Sequence, residues 1–156
     1  MKRALWLAVV LAAVWGLPRL SHPAVDIGKL EPVETVLLIL EKDGIRVETD
    51  TGAVGFGDTL EDAVEKLRRS SATEVYLDTT SKLLVAGEAG EHWKDVMDFF
   101  RPSCVVCLAD EGIDLEQATE YLSVHKPEMT LNRLRAGERN WQRLYMEEGR
   151  GRLEPE

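Results

Sequence analysis

Apolar and polar residues follow two different periods along the middle of the chain, and the period distinguishes strands from helices. Residues 33–42, VETVLLILEK, form a nearly continuous aliphatic run, which predicts a buried strand. Residues 45–50, IRVETD, alternate apolar with polar, the pattern of a strand with one solvated face. Asp43-Gly44 between the two runs favours a hairpin turn. We therefore predict that the domain opens with two antiparallel strands.

A helical period follows in GFGDTLEDAVEKLRRSS. Apolar residues there recur at i, i+3, i+4 and i+7, the spacing of one helical face. The residues of that face are Leu60, Ala63, Val64 and Leu67. Asp58 is the predicted N-cap, with Glu61 as its capping-box partner.

Strand and helix patterns alternate again in the rest of the middle region. The predicted elements are strands at 74–78, 82–86 and 103–109, a helix at about 89–100, and a helix that follows the N-cap Asp114. The predicted order is β-β-α-β-β-α-β-α. It implies one domain over 33–126 of the α/β (or α+β) class, a mixed sheet with about three helices packed on it.

The N-terminus has the pattern of an export signal. Lys2 and Arg3 precede an uninterrupted apolar run, residues 4–17, which is shorter than the ~20 residues of a typical spanning helix. No Ala-x-Ala cleavage site follows, so residues 1–21 are predicted to be a hydrophobic helix that is either an uncleaved signal-anchor or a cleaved signal peptide. A buried core helix is the third interpretation. Residues 22–32 are interpreted as a linker.

Charge bears on location and on partners. Three of the 19 Lys and Arg residues precede position 22, which leaves 16 beside all 28 acidic residues in 22–156, a net charge of −12 there. Because positive charge stays in the cytoplasm, both main interpretations place these residues on the extracytoplasmic face, attached by a single-pass anchor or secreted. The acidic balance excludes nucleic acid as an expected partner, since phosphates require a basic surface.

Both cysteines lie in the run Ser103–Ala109, SCVVCLA, with C-x-x-C spacing. On a strand, Cys104 and Cys107 would point to opposite faces with Cα atoms about 10 Å apart, too far for a disulfide. A redox C-x-x-C begins a helix, whose dipole lowers the thiol pKa, and no helix is predicted between Cys107 and Asp114. We therefore predict buried structural thiols and no catalytic residues. The alternative is a small exported thiol oxidoreductase that uses both cysteines.

Other motifs fall short of a cofactor or metal site. His92 and His125 could add ligands to the cysteines, but structural zinc requires paired spacings that are absent here. The glycines of residues 52–57 match neither G-x-G-x-x-G nor a P-loop, so we interpret this stretch as a flexible strand-to-helix turn. We expect no cofactor and no metal.

The final segment, residues 127–156, is interpreted as basic and aromatic because four arginines and one glutamate lie between Arg133 and Met146, and it is predicted to be separate from the domain and partly helical. Arg135, Arg139 and Arg143 recur every four residues, the spacing of one helical face, and Trp141 lies among them. Such a helix could dock on anionic lipid or on a partner protein. Alternatively, the arginines pair with the acidic domain of the same chain, or the segment frays.

Three stretches, taken in order, carry a family resemblance: Gly57–Ala63, GDTLEDA; Glu74–Glu88, EVYLDTTSKLLVAGE; and Asp98–Pro102, DFFRP. The chain resembles the N-terminal domain of the Ger(x)C-like spore germination proteins, the C subunits of germinant receptors, over about residues 33–125. The resemblance implies a membrane-attached, non-enzymatic domain outside the cytoplasmic membrane of a spore-forming Gram-positive bacterium. It also implies that SCVVCLA is a strand.

Together these observations predict a membrane-anchored, extracytoplasmic binding or assembly module that is not an enzyme, with a role in sporulation or germination. Its expected partners are the cytoplasmic membrane, through residues 4–17, and other envelope proteins or anionic lipid.

Overall fold

The computed structural model describes residues 30–87, 93–147 and 149–156. The predicted N-terminal hydrophobic helix and residues 22–29 of the predicted linker lie outside the described residues. The strands are β1 (Leu30–Pro32), β2 (Thr35–Glu41), β3 (Gly44–Thr49), β4 (Val54–Gly57), β5 (Glu74–Tyr76), β6 (Lys82–Gly87), β7 (Val105–Leu108), β8 (Gln142–Glu147) and β9 (Arg150–Pro155). The helices are α1 (Leu60–Ser70), α2 (Trp93–Phe99), α3 (Leu115–Val124) and α4 (Leu131–Arg135).

Seven strands form one mixed sheet in the order β4-β3-β2-β6-β7-β8-β9. The central strands β2, β6, β7 and β8 are parallel, and an antiparallel neighbour extends the sheet on each side. The remaining strands, β1 and β5, pair in parallel as a small separate sheet. The predicted mixed α/β architecture is confirmed, with four helices among the described residues where we expected about three.

The two faces of the sheet carry two separate hydrophobic cores. Alternate residues of β2 supply both, because successive side chains of a strand point to opposite sides. Leu38 packs with residues of α1, α2 and α4, whereas Leu37 and Ile39 pack with Ala118 and Leu122 of α3. We call these the α1 face and the α3 face. The structure therefore has helices on both sides of a central sheet.

Helix α1 begins one residue later than the sequence predicts. The N-cap is Thr59, whose hydroxyl accepts a hydrogen bond from the backbone N–H of Asp62 at 3.2 Å, and the predicted cap Asp58 lies outside. Thr59 has the extended backbone that a cap requires. The predicted cap of α3 is confirmed, since the Asp114 carboxylate accepts from the backbone N–H of Gln117 at 3.1 Å.

The segment interpreted as a flexible turn, residues 52–57, is largely the edge strand β4. Its glycines allow α1 to lie directly on the strand: a Cβ at Gly55 would be 2.1 Å from the carbonyl oxygen of Ala63, and one at Gly57 would be 2.4 Å from the Ala63 nitrogen. Glycine is thus required here for the close approach of a helix to a strand.

The C-terminal segment is also different from the prediction. Helix α4 ends at Arg135, and the chain then turns at Gly137, whose φ of +91° is in the left-handed region. Beyond the turn, β8 and β9 join the main sheet, so both strands belong to the same sheet as the rest. A smaller correction applies to the linker, because residues 30–32 form strand β1.

Candidate functional site

The two cysteines lie on and beside β7, in the centre of the sheet. Cys104 directly precedes the strand and packs in the core of the α1 face, whereas Cys107 packs in the core of the α3 face. Each is 1% exposed, and both are free thiols. The predicted placement on opposite faces is confirmed, so the sheet itself separates the two sulfur atoms.

Burial also controls the ionisation of these thiols. Desolvation raises the pKa of both Cys104 and Cys107 to about 12, and the nearby charges of Arg101 and Lys82 lower the value for Cys104 only in part. A reactive cysteine requires a lowered pKa and solvent access. In the folded chain these two groups are therefore neutral and shielded at physiological pH.

The four residues of the predicted interaction surface do not share a helical face. Arg135 ends α4, Arg139 and Trp141 lie in the connection to β8, and Arg143 lies on β8 itself. The guanidinium of Arg139 donates to the backbone oxygens of Leu134 and Glu138 at 3.1 Å and 2.7 Å. The four-residue spacing of Arg135, Arg139 and Arg143 therefore does not mark one helical face, because each side chain lies in a different part of the chain.

Two of these residues connect the C-terminal segment to helix α2. Arg135 donates to the backbone oxygen of Met97 and lies 3.8 Å from the Asp98 carboxylate. Trp141 packs against Trp93, with ring centroids 5.1 Å apart. Both side chains thus contribute to the packing of α2 against the end of the chain.

Arg143 links three parts of the chain beside the carboxyl end of β7, where β8 begins. Its guanidinium donates to both carboxylate oxygens of Glu156 at 3.0 Å and to Asp110 at 3.1 Å. These bonds raise the pKa of Arg143 and lower the pKa of Glu156 below its usual range. Arg135 and Arg143 therefore fit the alternative interpretation, in which these arginines pair with acidic groups of the same chain.

The carboxyl ends of parallel strands are where α/β proteins usually bind ligands. In the described part of this chain, ion pairs occupy that edge: Asp110 pairs with Arg143, and Glu111 lies 3.9 Å from Arg46. Across residues 30–87, 93–147 and 149–156, no group of three or more His, Cys, Asp or Glu side chains is arranged to hold a metal ion.

A cavity of about 250 Å³ opens at the opposite, amino-terminal edge, between α3 and the sheet. At its base Lys82 is only 4% exposed and forms an ion pair with Glu34. Lys126 and the hydroxyl residues Ser81 and Ser103 also line it. The sequence analysis missed this cavity. The one sequence feature that pointed to it was Lys82, a lysine at the start of an apolar strand. The cavity could admit a small anion, but that anion would compete with Glu34 for Lys82.

A second missed feature is the outer edge of β4. Val54 is 47% exposed and Phe56 is 43% exposed, and both side chains lie on the α3 face of the sheet because Gly55 and Gly57 approach α1. The signal was the alternation Val-Gly-Phe-Gly within an uncharged stretch, residues 51–57. We call Val54, Phe56 and their outward backbone groups the β4 edge.

Comparison with known proteins returns no relative: no family model, no curated protein and no solved structure matches this chain. Within the described ranges, none of the helices has both the length and the apolar character needed to cross a membrane.

Proposed function

We propose that this chain is a membrane-anchored, extracytoplasmic binding or assembly module that acts through its surfaces and not through covalent chemistry. The observation that carries the proposal is the burial of Cys104 and Cys107 on opposite faces of the sheet, each with a raised pKa. The C-x-x-C pair was the strongest catalytic candidate in the sequence, and its geometry favours a structural role.

The location in this proposal rests on the sequence. Residues 4–17 are apolar and follow Lys2 and Arg3, and the chain beyond residue 21 is strongly acidic. This arrangement favours a helix in the cytoplasmic membrane with the folded domain outside. The resemblance to the germination proteins supports a place among the envelope proteins of sporulation or germination, with other envelope proteins or anionic lipid as partners.

Thiol titration tests the non-enzymatic part of the proposal. We expect a thiol reagent to modify neither cysteine in the folded protein at pH 7, and to modify both after denaturation in urea. The variants Cys104→Ala and Cys107→Ala assign the signals. One thiol that reacts rapidly in the folded protein, with an apparent pKa below about 7.5, would instead favour the thiol oxidoreductase.

Membrane attachment is tested by fractionation of cells that express the full chain. We expect the protein in the membrane fraction, released by detergent and not by high salt, and degraded by protease added outside spheroplasts. Val9→Asp places a charge in the apolar run and is expected to abolish this behaviour. Val124→Asp, on the exposed end of α3, is the matched control. Recovery of the unmodified protein in the cytosol would contradict the proposed location.

A further inference from the structure

We propose that the cavity between α3 and the amino-terminal edge of the sheet binds a phosphate group, which takes the place of the Glu34 carboxylate beside Lys82. This inference names the chemistry of one partner of the proposed module, a phosphate carried by an anionic lipid or by a small solute, and rests on the proposed function. Four observations support it: the donors that line the cavity, the buried ammonium of Lys82, the exposed side chain of Glu34, and the size and position of the cavity.

The first observation is that donor groups predominate among the polar side chains of the cavity. The polar lining consists of the lysines Lys82 and Lys126, the serines Ser81, Ser103 and Ser123, and a single carboxylate, that of Glu34. In the part of the chain that the structure describes, Lys82 has a carboxylate partner and Lys126 has none within 4 Å. A phosphate monoester offers three strong acceptor oxygens and about two negative charges at pH 7. It therefore complements both lysines and the hydroxyl groups at once.

The second observation is the burial of the Lys82 ammonium at the base of the cavity. Lys82 is 4% exposed because it begins β6, which has a parallel neighbour on each side, β2 and β7. A buried ammonium requires a negative partner, since leaving it unpaired costs several kcal/mol. Lys82 is thus a fixed positive charge that holds one anionic group at the base of the cavity.

The third observation is that the anionic group beside Lys82 can be exchanged. The side chain of Glu34 is 54% exposed, whereas that of Lys82 is 5% exposed. The backbone of Glu34 is fixed: its N–H donates to the Asp50 carboxylate at 3.1 Å, and its carbonyl accepts from the N–H groups of Ser81 and Lys82 at 3.0 Å and 3.1 Å. Rotation of the side chain alone therefore moves the Glu34 carboxylate into solvent, while an incoming phosphate keeps Lys82 paired.

The fourth observation is the size and position of the cavity. Its volume of about 250 Å³ is below the ~300–1,000 Å³ of sites for drug-sized ligands, so it suits a single small group. Val105 and Leu122 add apolar walls, which strengthen charge pairing inside. The chain enters the domain at this edge, since Glu34 follows Leu30, the first residue of β1, by four positions. With residues 4–17 in the membrane, this edge is the part of the domain nearest to the lipid headgroups along the chain.

Amide NMR spectra of the full-length chain in non-ionic detergent micelles, at constant ionic strength, test the site with inorganic phosphate as the probe. We expect saturable shifts of the amides of Ser81, Lys82 and Ser103, with a Kd on the order of 1 mM because the mouth of the cavity is solvated. Lys126→Met should raise this Kd by about tenfold, since it removes a charged donor. Lys94→Met, which removes an exposed lysine on α2, is the matched control and should leave the Kd unchanged.

Removal of the internal carboxylate tests whether Glu34 and phosphate share one position. Glu34→Gln keeps the shape of the side chain but leaves Lys82 without an anion, so the phosphate Kd should fall by about tenfold. Phosphate should also raise the unfolding temperature of this variant more than that of the unmodified chain. Glu74→Gln, at an exposed glutamate of β5, is the matched control and should not change the Kd. The double variant Glu34→Gln/Lys82→Met leaves no buried charge unpaired, so it should fold and not bind phosphate.

Two competitors identify the source of the phosphate group. Mixed micelles with phosphatidic acid that displace inorganic phosphate at a lower concentration than glycerol phosphate assign the group to a lipid, and the reverse order assigns it to a solute.

Two results would overturn the inference. One is the absence of saturable amide shifts at about 10 mM inorganic phosphate, tenfold above the expected Kd. The other is an equal Kd for the unmodified chain and Glu34→Gln. Fractionation of the same variants separates this inference from the proposed function, because a chain that binds no phosphate but remains at the extracytoplasmic membrane contradicts the phosphate site alone.

Discussion

The two outer strands of the main sheet are built in opposite ways. Strand β9 has the sequence Arg-Gly-Arg-Leu-Glu-Pro, with three charged side chains and a terminal proline. Strand β4 has the sequence Val-Gly-Phe-Gly, with no charge. Charge and proline are the common means by which natural sheets prevent edge-to-edge association. The comparison teaches that one outer strand carries these protective features in its own sequence, whereas the other does not; we call them the closed edge and the open edge.

The two edges also differ in how they are attached to the rest of the molecule. Close packing of α1 holds β4 on one side, because glycine leaves no space between strand and helix. The β8–β9 hairpin joins β7 through a single residue pair, Leu108 with Arg143. The ion pairs of Arg143 with Asp110 and Glu156 reinforce this junction. Close packing against α1 therefore stabilises the position of β4, whereas ion pairs contribute more to the attachment of β8 and β9.

The largest expected effect comes from breaking the packing at the open edge. Gly55→Ala places a Cβ 2.1 Å from the carbonyl oxygen of Ala63, so α1 must move away from β4. We expect the free energy of unfolding to fall by about 3 kcal/mol, measured by urea unfolding with tryptophan fluorescence. Gly52→Ala is the control: its φ is +85° and nothing lies within 4 Å, so the cost should be about 1 kcal/mol. Equal losses would show that the close approach is not required.

A smaller effect is expected from removing the ion pairs of the closed edge. Arg143→Met abolishes the bonds to Asp110 and Glu156, and we expect a loss of about 1 kcal/mol, since these partners are largely solvated. Hydrogen exchange should accelerate in β8 and β9 before it does in β2 and β6. Arg152→Met, which removes an exposed pair with Glu154, should cost less than about 0.5 kcal/mol. Uniform acceleration over the whole sheet would contradict a separate attachment of the hairpin.

The pH dependence of stability should have opposite signs for two carboxylates, Glu156 beside Arg143 and the half-buried Asp50 beside the start of β2. The pKa of Glu156 is lowered in the folded chain by the hydrogen bonds from Arg143, so its stabilising contribution is present above the unfolded pKa and is lost as pH falls through the folded value. Desolvation raises the pKa of Asp50, which follows β3, so its contribution is present at low pH and is lost as pH rises. Glu156→Gln should therefore reduce the rise in stability between about pH 3 and pH 5, and Asp50→Asn should increase it. Urea unfolding at each pH measures both.

The smallest expected effect is on the exposed apolar surface of the open edge. Phe56→Ser should change the free energy of unfolding by less than about 0.5 kcal/mol, because the side chain is 43% exposed before the change. A loss above about 2 kcal/mol would show that Phe56 belongs to the hydrophobic core.

Local patterns predicted the centre of the sheet well. The predicted strands at 33–42, 45–50 and 82–86 correspond to β2, β3 and β6, and Asp114 caps α3 as expected. These elements are buried, and their apolar spacing records that burial directly. The placement of Cys104 and Cys107 followed from the same alternation.

Both outer strands of the sheet, β4 and β9, and the strand β8 that pairs with β9 were missed, for a common physical reason. An outer strand has little buried surface to leave a period in its sequence, and its pairing depends on residues far along the chain. In β8 the alternation of Leu144 and Met146 was a usable signal, but the four-residue spacing of arginines favoured a helix instead. In β4 the glycines suggested a turn. Their role is to let α1 approach the strand closely, and that contact is a tertiary one that the local sequence does not show. The cavity beside Lys82 likewise depends on α3 lying over the strand ends.

The burial of both native sulfur atoms has a practical consequence. A cysteine introduced at a solvent-facing position such as Val124, which is 77% exposed, would be the one thiol that a maleimide dye reaches in the folded protein. Spin labels or fluorophores could then be attached to single chosen positions without first removing the natural cysteines.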